Sequence, residues 1–176
     1  MKKKIILIVG ASGVGKDSLI KEAKKELKEE FNFIRRYITR KPDKNEKNYF
    51  LENSAFKLLK KNDYFVSSWE AHDNFYGISK NSIKNRLNII SISRSKISDF
   101  EKNFEKVYVI NITLNKEELK NRLIKRGRES LEEIQKRLDR SYDKIEAKNL
   151  INFENDKPFE ESKEAFIKLL KEINEL

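Results

Sequence analysis

GASGVGKDSL, residues 10–19, follows directly on the apolar run IILIV of residues 5–9. Gly10, Gly15 and Lys16 stand at the spacing of G-x-x-x-x-G-K-[ST], a turn whose backbone N–H groups wrap phosphate oxygens. That pattern asks for a hydroxyl after the lysine to hold Mg²⁺, and here the position is Asp17, with Ser18 one place later. The context is the required one. KIILIVG at 4–10 reads as a buried parallel strand. From Lys16 onward Leu19, Ile20, Ala23 and Leu27 recur on one helical stripe. Strand, glycine turn and helix in succession put Gly10, Ala11, Ser12, Gly13, Val14, Gly15, Lys16, Asp17 and Ser18 forward as an ATP phosphate site. The backbone amides and the helix N-terminus would cradle the phosphates, and Lys16 would neutralise charge between the β- and γ-phosphates.

Further strands are expected at 88–93 (NIISIS), 106–113 (KVYVINIT) and 149–153 (NLINF). Helices lie between and after them. Asn115 with Glu118, and Ser130 with Glu133, have the spacing of capping boxes. Asp156 and Pro158 open a terminal helix carrying Phe159, Phe166, Leu169, Leu170 and Ile173. The alternation predicts an α/β fold, a central parallel sheet flanked by helices with ligands at the carboxyl ends of the strands. Residues 32–86 break the rhythm, rich in Asn, Asp and aromatics, and read as an insertion that builds a second substrate's site. The expected organisation is one domain over 1–176, with a core of 1–31 and 87–176.

Composition narrows the chemistry. There is no cysteine and only one histidine, which removes disulfides, thiol nucleophiles and multi-histidine metal clusters. The start MKKKIILIVGAS resembles a secretory signal, but its apolar stretch is five residues long, too short for that role, and no membrane span is expected. The expected location is the cytoplasm. The net charge of +10 invites a nucleic-acid partner. However, lysines outnumber arginines 29 to 10 and mostly sit beside glutamates on helix faces, and no basic stripe carries interleaved aromatics. Neither nucleic acid nor membrane is expected as a partner. The arginines are more telling, because they cluster and their planar fork suits phosphate. Arg122 and Arg126 share a helix face, Gly127 breaks that helix, and Arg137 and Arg140 flank the next, whose apolar stripe is expected to be Leu131, Ile134, Leu138 and Ile145.

The phosphate loop, RRYITRKP (35–42), WEAHDNFYG (69–77), the approach to Arg94, and LKNRLIKRGRESLEEIQKRLDRS (119–141) together resemble the guanylate-kinase-like phosphotransferases. Within them the chain is most similar to the branch that acts on ribose 1,5-bisphosphate in phosphonate breakdown, whose loop also reads Gly-Lys-Asp-Ser. The resemblance implies a P-loop NTPase of the nucleoside-monophosphate-kinase type, an acceptor-binding insertion at about 32–86 and an arginine-rich lid at about 122–140. It implies ATP as donor, Mg²⁺ as cofactor, and Lys16, Arg126 and Arg137 around the transferring group. For the acceptor it implies Arg36 and Arg40 as one phosphate clamp and Ser93 and Arg94 as another, with Trp69, His72, Tyr76 and Gly77 enclosing the sugar. Guanylate kinases read guanine with a glutamate whose position falls here at Ser67, and with strand acids falling at Ser91 and Ser93. A partner arginine falls at Asp43, while Glu46 still matches a guanine-side acid.

Two readings of Asp17 remain open at this point. It either supplies the metal charge that the serine-ended strand lacks, directly or through water with Ser18 beside it, or is a first-turn acid on the helix dipole. Three functions also remain open: phosphorylation of ribose 1,5-bisphosphate, a guanylate kinase, and a catalytically silent binding module of the same fold. Oligomeric state is not legible.

Overall fold

In the computed structural model, residues 3–41, 48–127, 130–141 and 144–176 are described, except for the side chains of 137, 140 and 141. The chain runs β1 (Lys4–Val9), α1 (Lys16–Leu27), β2 (Asn32–Phe33), β3 (Tyr37–Ile38), β4 (Tyr49–Phe50), α2 (Asn53–Lys61), β5 (Phe65–Ala71) and β6 (Asn74–Ser79). It continues through β7 (Leu87–Ser91), α3 (Ile97–Asn103), β8 (Lys106–Thr113), α4 (Lys116–Arg126), α5 (Leu131–Ser141), β9 (Leu150–Glu154) and α6 (Phe159–Glu175). The main sheet is five-stranded and parallel, in the order β2-β7-β1-β8-β9.

Its architecture follows from β1. Successive strand residues face opposite ways, and both faces of β1 are covered. Ile6 and Ile8 join Leu19, Ala23 and Leu27 of α1, Leu119 and Leu123 of α4, and Phe166, Leu170 and Ile173 of α6. Ile5, Leu7 and Val9 pack on the other side with Ile97 and Phe100 of α3 and with Val107 and Val109 of β8. A strand buried on both faces must be apolar without alternation, which is why IILIV marks the centre of the sheet.

A second sheet, β4-β3-β6-β5, is built by residues between β2 and β7. It carries its own aromatic core: Phe56 of α2 stacks on Phe65 at 4.7 Å and on Phe75 at 5.5 Å. β5 and β6 form an antiparallel hairpin. Its two turn residues, His72 and Asp73, both take positive φ, 50° and 57°, the pairing that matches the twist of two-residue hairpins. Gly77 is needed for packing, since a Cβ there would lie 2.7 Å from the Phe65 ring.

Several expectations are revised. The strand expected at 88–93 occupies Leu87–Ser91. Asn115 accepts from the Glu117 N–H at 2.9 Å, but Glu118 turns to Arg122 at 2.6 Å, so that box is only half formed. The Ser130–Glu133 box is reciprocal, with bonds of 2.7 and 3.3 Å. Leu131 is 70% exposed, so it leaves the α5 stripe to Ile134 and Leu138. Ile145 lies past the helix and packs on the α3 side of the sheet. Phe159, at the exposed start of α6, is outside the core. The helices α2 and α3 were not anticipated.

One buried polar residue ties β7 to β1, to β2 and to the chain that leads into β7. Asn88, fully buried on β7, donates to the carbonyls of Lys4, Lys84 and Arg86 and accepts from the Lys84 N–H and the Asn32 amide. Replacing it with leucine leaves several buried donors and acceptors unpaired, each worth about 1–3 kcal/mol. Asn88→Leu is expected to cost roughly 3 kcal/mol or more, read as a lowered urea midpoint at unchanged m-value.

Candidate active site

The loop after β1 turns sharply because its glycines supply backbone that other residues resist. Gly10, Gly13 and Gly15 have φ of 142°, 93° and 96°. A Cβ on Gly10 would meet the Ile112 carbonyl oxygen at 2.4 Å, and one on Gly15 would meet Asn155 Nδ2 at 2.4 Å. Val14 drops into the core below, while Ser12 faces outward. The loop wraps its own lysine. Lys16 Nζ donates to the carbonyls of Gly10 at 2.7 Å and Ala11 at 2.6 Å. Burial pushes its pKa down from the usual 10.5 to about 8; the charge of Asp17 opposes the fall, and those of Arg36 and Arg94 add to it.

Those charge effects bring together residues distant in sequence. Arg36 comes from the second sheet, with its guanidinium 5.7 Å from the centre of the Tyr76 ring. Arg94 lies in the 3₁₀ turn after β7. Both act on Lys16. From α4, Arg126 Nη1 donates to Ser12 Oγ at 3.2 Å. Arg122 lies one helical turn earlier on the same face and approaches Gly15. Asp17 and Ser18 are exposed in the first turn of α1.

The remaining expected residues are placed as follows. Arg40 is exposed beyond β3. Trp69 and Tyr76 are cross-strand partners stacked at 5.4 Å and 6°, Tyr76 buried and Trp69 packed toward the α3 side of the core. Ser93 and Arg94 line a cavity of about 1090 Å³ that opens at Gly10, Ala11 and Ser12. His72 reaches the same cavity from the hairpin tip. Asp43, Glu46 and Arg128 lie outside the described residues, as do the side chains of Arg137 and Arg140.

One residue acquires a role that its sequence position did not suggest. Asn155 follows β9; it is 4% exposed, and its Nδ2 donates to the Val14 carbonyl at 2.7 Å. Its own N–H donates to Thr113 at the end of β8. The phosphate loop is thus fastened from behind to the sheet. Only the three-dimensional path of β9 beside β8 could reveal this.

A glycine-rich turn with an enclosed lysine, overhung by an arginine from α4 and flanked by two more from separate elements, is an arrangement for polyphosphate and a second anion. The family model described as guanylate kinase matches residues 2–172. The chain belongs to the guanylate kinase family. It is 33% identical over 157 residues to a guanylate kinase of Campylobacter jejuni, covering 80% of this chain and 74% of that protein. It is 34% identical over 177 residues to a ribose 1,5-bisphosphate phosphokinase of Desulfomicrobium baculatum, covering 96% and 95%. The crystal structure of guanylate kinase from Anaplasma phagocytophilum superposes with a TM-score of 0.68 at 18% identity, over 98% of this chain and 86% of that one. The guanylate kinase family is one of phosphotransferases, and this member is a kinase by the same relationships. No helix among the described residues is long and apolar enough to cross a membrane.

In this guanylate kinase family member, the lowered Lys16 pKa gives a signed expectation. The ammonium form, which attracts phosphate, is lost from the free enzyme as pH rises through about 8. At saturating Mg²⁺, kcat/KM for ATP should be near its plateau around neutral pH. Above the break it should fall toward about tenfold per pH unit, since kcat/KM reports the free enzyme. An initial-rate profile through pH 10 checks this.

Proposed function

We propose that this kinase transfers the γ-phosphate of ATP to the 1-phosphate of ribose 1,5-bisphosphate, forming 5-phosphoribosyl 1-diphosphate. The observation that carries the reading is Ser67. At the position aligned with the guanine-reading glutamate stands a small buried hydroxyl, and it donates to Asp99 at 2.7 Å. A side chain committed to α3 offers no carboxylate to a base. Ser91 and Ser93 at the other aligned positions are likewise uncharged. Loss of base-reading acids favours an acceptor without a base, and the cations around Lys16 favour one that is rich in phosphate.

The backbone amides of Gly10–Ser18 and the start of α1 bind the donor's phosphates. Lys16 leaves its two carbonyls for phosphate oxygens and follows charge toward the leaving bridge oxygen. A 1-phosphate oxygen, already ionised at neutral pH, attacks the γ-phosphorus in line, and the bond to the bridging oxygen of ADP breaks. No strong general base is needed. Arg36 and Arg94, expected on opposite phosphate clamps, both act on Lys16 and so orient the attacking phosphate together, with Arg40, Trp69, Tyr76 and Gly77 belonging to the sheet that carries the acceptor. Arg126, with Arg137 from the neighbouring lid helix, neutralises the γ-oxygens. Closure of these helices excludes water.

The residues also fit Mg²⁺. Among the described residues no cluster of acids could hold a metal unaided. A Mg²⁺ that arrives on phosphates needs only one or two carboxylates, and Asp17 is an exposed carboxylate beside Lys16. Asp17, directly or through water and with Ser18 beside it, would hold the ion, which supplies charge neutralisation at the β- and γ-oxygens. A second reading, guanylate kinase, is favoured by the 33% identity to the Campylobacter jejuni protein.

Two measurements test this reading. Purified protein with Mg-ATP is offered ribose 1,5-bisphosphate, ribose 5-phosphate, GMP, AMP and dGMP while ADP release is followed. Turnover is expected with ribose 1,5-bisphosphate, and robust turnover of GMP alone would replace the assignment with guanylate kinase. Asp17→Ala is expected to lower Mg²⁺-dependent kcat by about tenfold or more, the scale of a lost charge-assisted contact to the reacting phosphates. Full turnover by that variant would make Asp17 a helix-dipole acid only.

A further inference from the structure

The cavity that opens at the phosphate loop extends well past the residues assigned so far. At about 1090 Å³ it is roomier than one sugar needs. One wall is the start of α3, with Ser95, Ser98 and Glu101; the facing wall is the segment 144–148, with Lys144, Glu146 and Lys148. Ile145 and Ala147 of that segment are anchored on the α3 side of the core. The alternate residues Lys144, Glu146 and Lys148 are exposed. The two walls are pinned together, because the Lys148 N–H donates to Glu101 Oε1 at 2.7 Å. This commits a carboxylate of the cavity to the backbone. Lys144 and Lys148 line the same cavity as Arg94 and the serine hydroxyls.

We propose that the segment 144–148 is a second anion clamp, in which Lys144 and Lys148 take the distal phosphate of a sugar bisphosphate and Ser95, Ser98 and Glu146 take its hydroxyls. This rests on the proposed function and extends it, by giving the acceptor's second phosphate a site of its own. Its lining combines the cations Arg94, Lys144 and Lys148 with the hydroxyls of Ser93, Ser95 and Ser98. That combination suits a phosphorylated polyol, with several hydroxyl partners and cations and, among the lining residues, a single aromatic ring, that of His72. Glu101 is a positioning residue, holding the segment at the depth where both lysines face the cavity.

The experiment separates binding from turnover. Lys144 and Lys148 are acylated with an amine-reactive reagent in the intact protein, and the extent is read by peptide mass spectrometry. Ribose 1,5-bisphosphate is expected to shield both lysines severalfold, and ribose 1-phosphate neither. In parallel, Lys144→Gln/Lys148→Gln should raise KM for ribose 1,5-bisphosphate by about tenfold, the scale of one or two charge-assisted hydrogen bonds, with the KM for ATP unaffected. Shielding by ribose 1-phosphate equal to that by the bisphosphate overturns the clamp. So does wild-type turnover of the bisphosphate with no shielding and no KM change, and the kinase assignment then stands. Turnover of GMP alone, with no shielding by the bisphosphate, overturns both. Shielding by the bisphosphate in a protein that turns over only GMP supports the clamp and overturns the assignment.

Discussion

An ammonium group held by two carbonyls of its own loop is the constraint around which this molecule is arranged. Lys16 can reach Gly10 and Ala11 only if the backbone doubles back within six residues. That fold-back demands glycine at the positive-φ positions, a strand ending at Val9 and a helix beginning at Lys16. The same enclosure desolvates the ammonium and lowers its proton affinity. Incoming phosphate therefore meets a cation that gains by exchanging neutral carbonyls for anionic oxygens.

The loop's surroundings are drawn from every part of the chain. β9 contributes Asn155 beneath it, α4 contributes Arg126 above it, the second sheet contributes Arg36, and the turn after β7 contributes Arg94. Each is carried by an element rooted in one of the two apolar layers flanking β1. The layers are made by the alternation of a single strand, Ile6 and Ile8 to one side and Ile5, Leu7 and Val9 to the other. Packing and site geometry are in this sense one problem.

Legibility in the sequence followed the locality of the signal. β1, β8 and the start of α1 were readable because an unbroken apolar run and a glycine pattern are local. The Ser130–Glu133 cap was readable for the same reason. Two-residue strands such as β2, β3 and β4 have no periodicity to detect, and α2 buries only Phe56 while exposing Leu58. The Asn115 cap was half readable, since Arg122 competes for Glu118 through a contact that spacing alone also permits. The bond between Ser67 and Asp99 and that between Asn155 and Val14 join residues 32 and 141 positions apart. These depend on how strands are laid side by side, which no window of sequence contains.

The buried asparagine of β7 bears on movement as well as stability. The chain leaves the main sheet after β2 and returns to it before β7. Asn32, at the point of departure, donates both to Ser82 and to Asn88, at the point of return. The two crossings are therefore stitched together at one spot and cannot slide past each other without breaking buried polar bonds. The second sheet is held again elsewhere, by the Ser67–Asp99 bond at 2.7 Å and by Ile78 and Trp69 on the α3 layer. The arm that bears Arg36 is therefore braced at two separate places, and its reach to Lys16 is set by both.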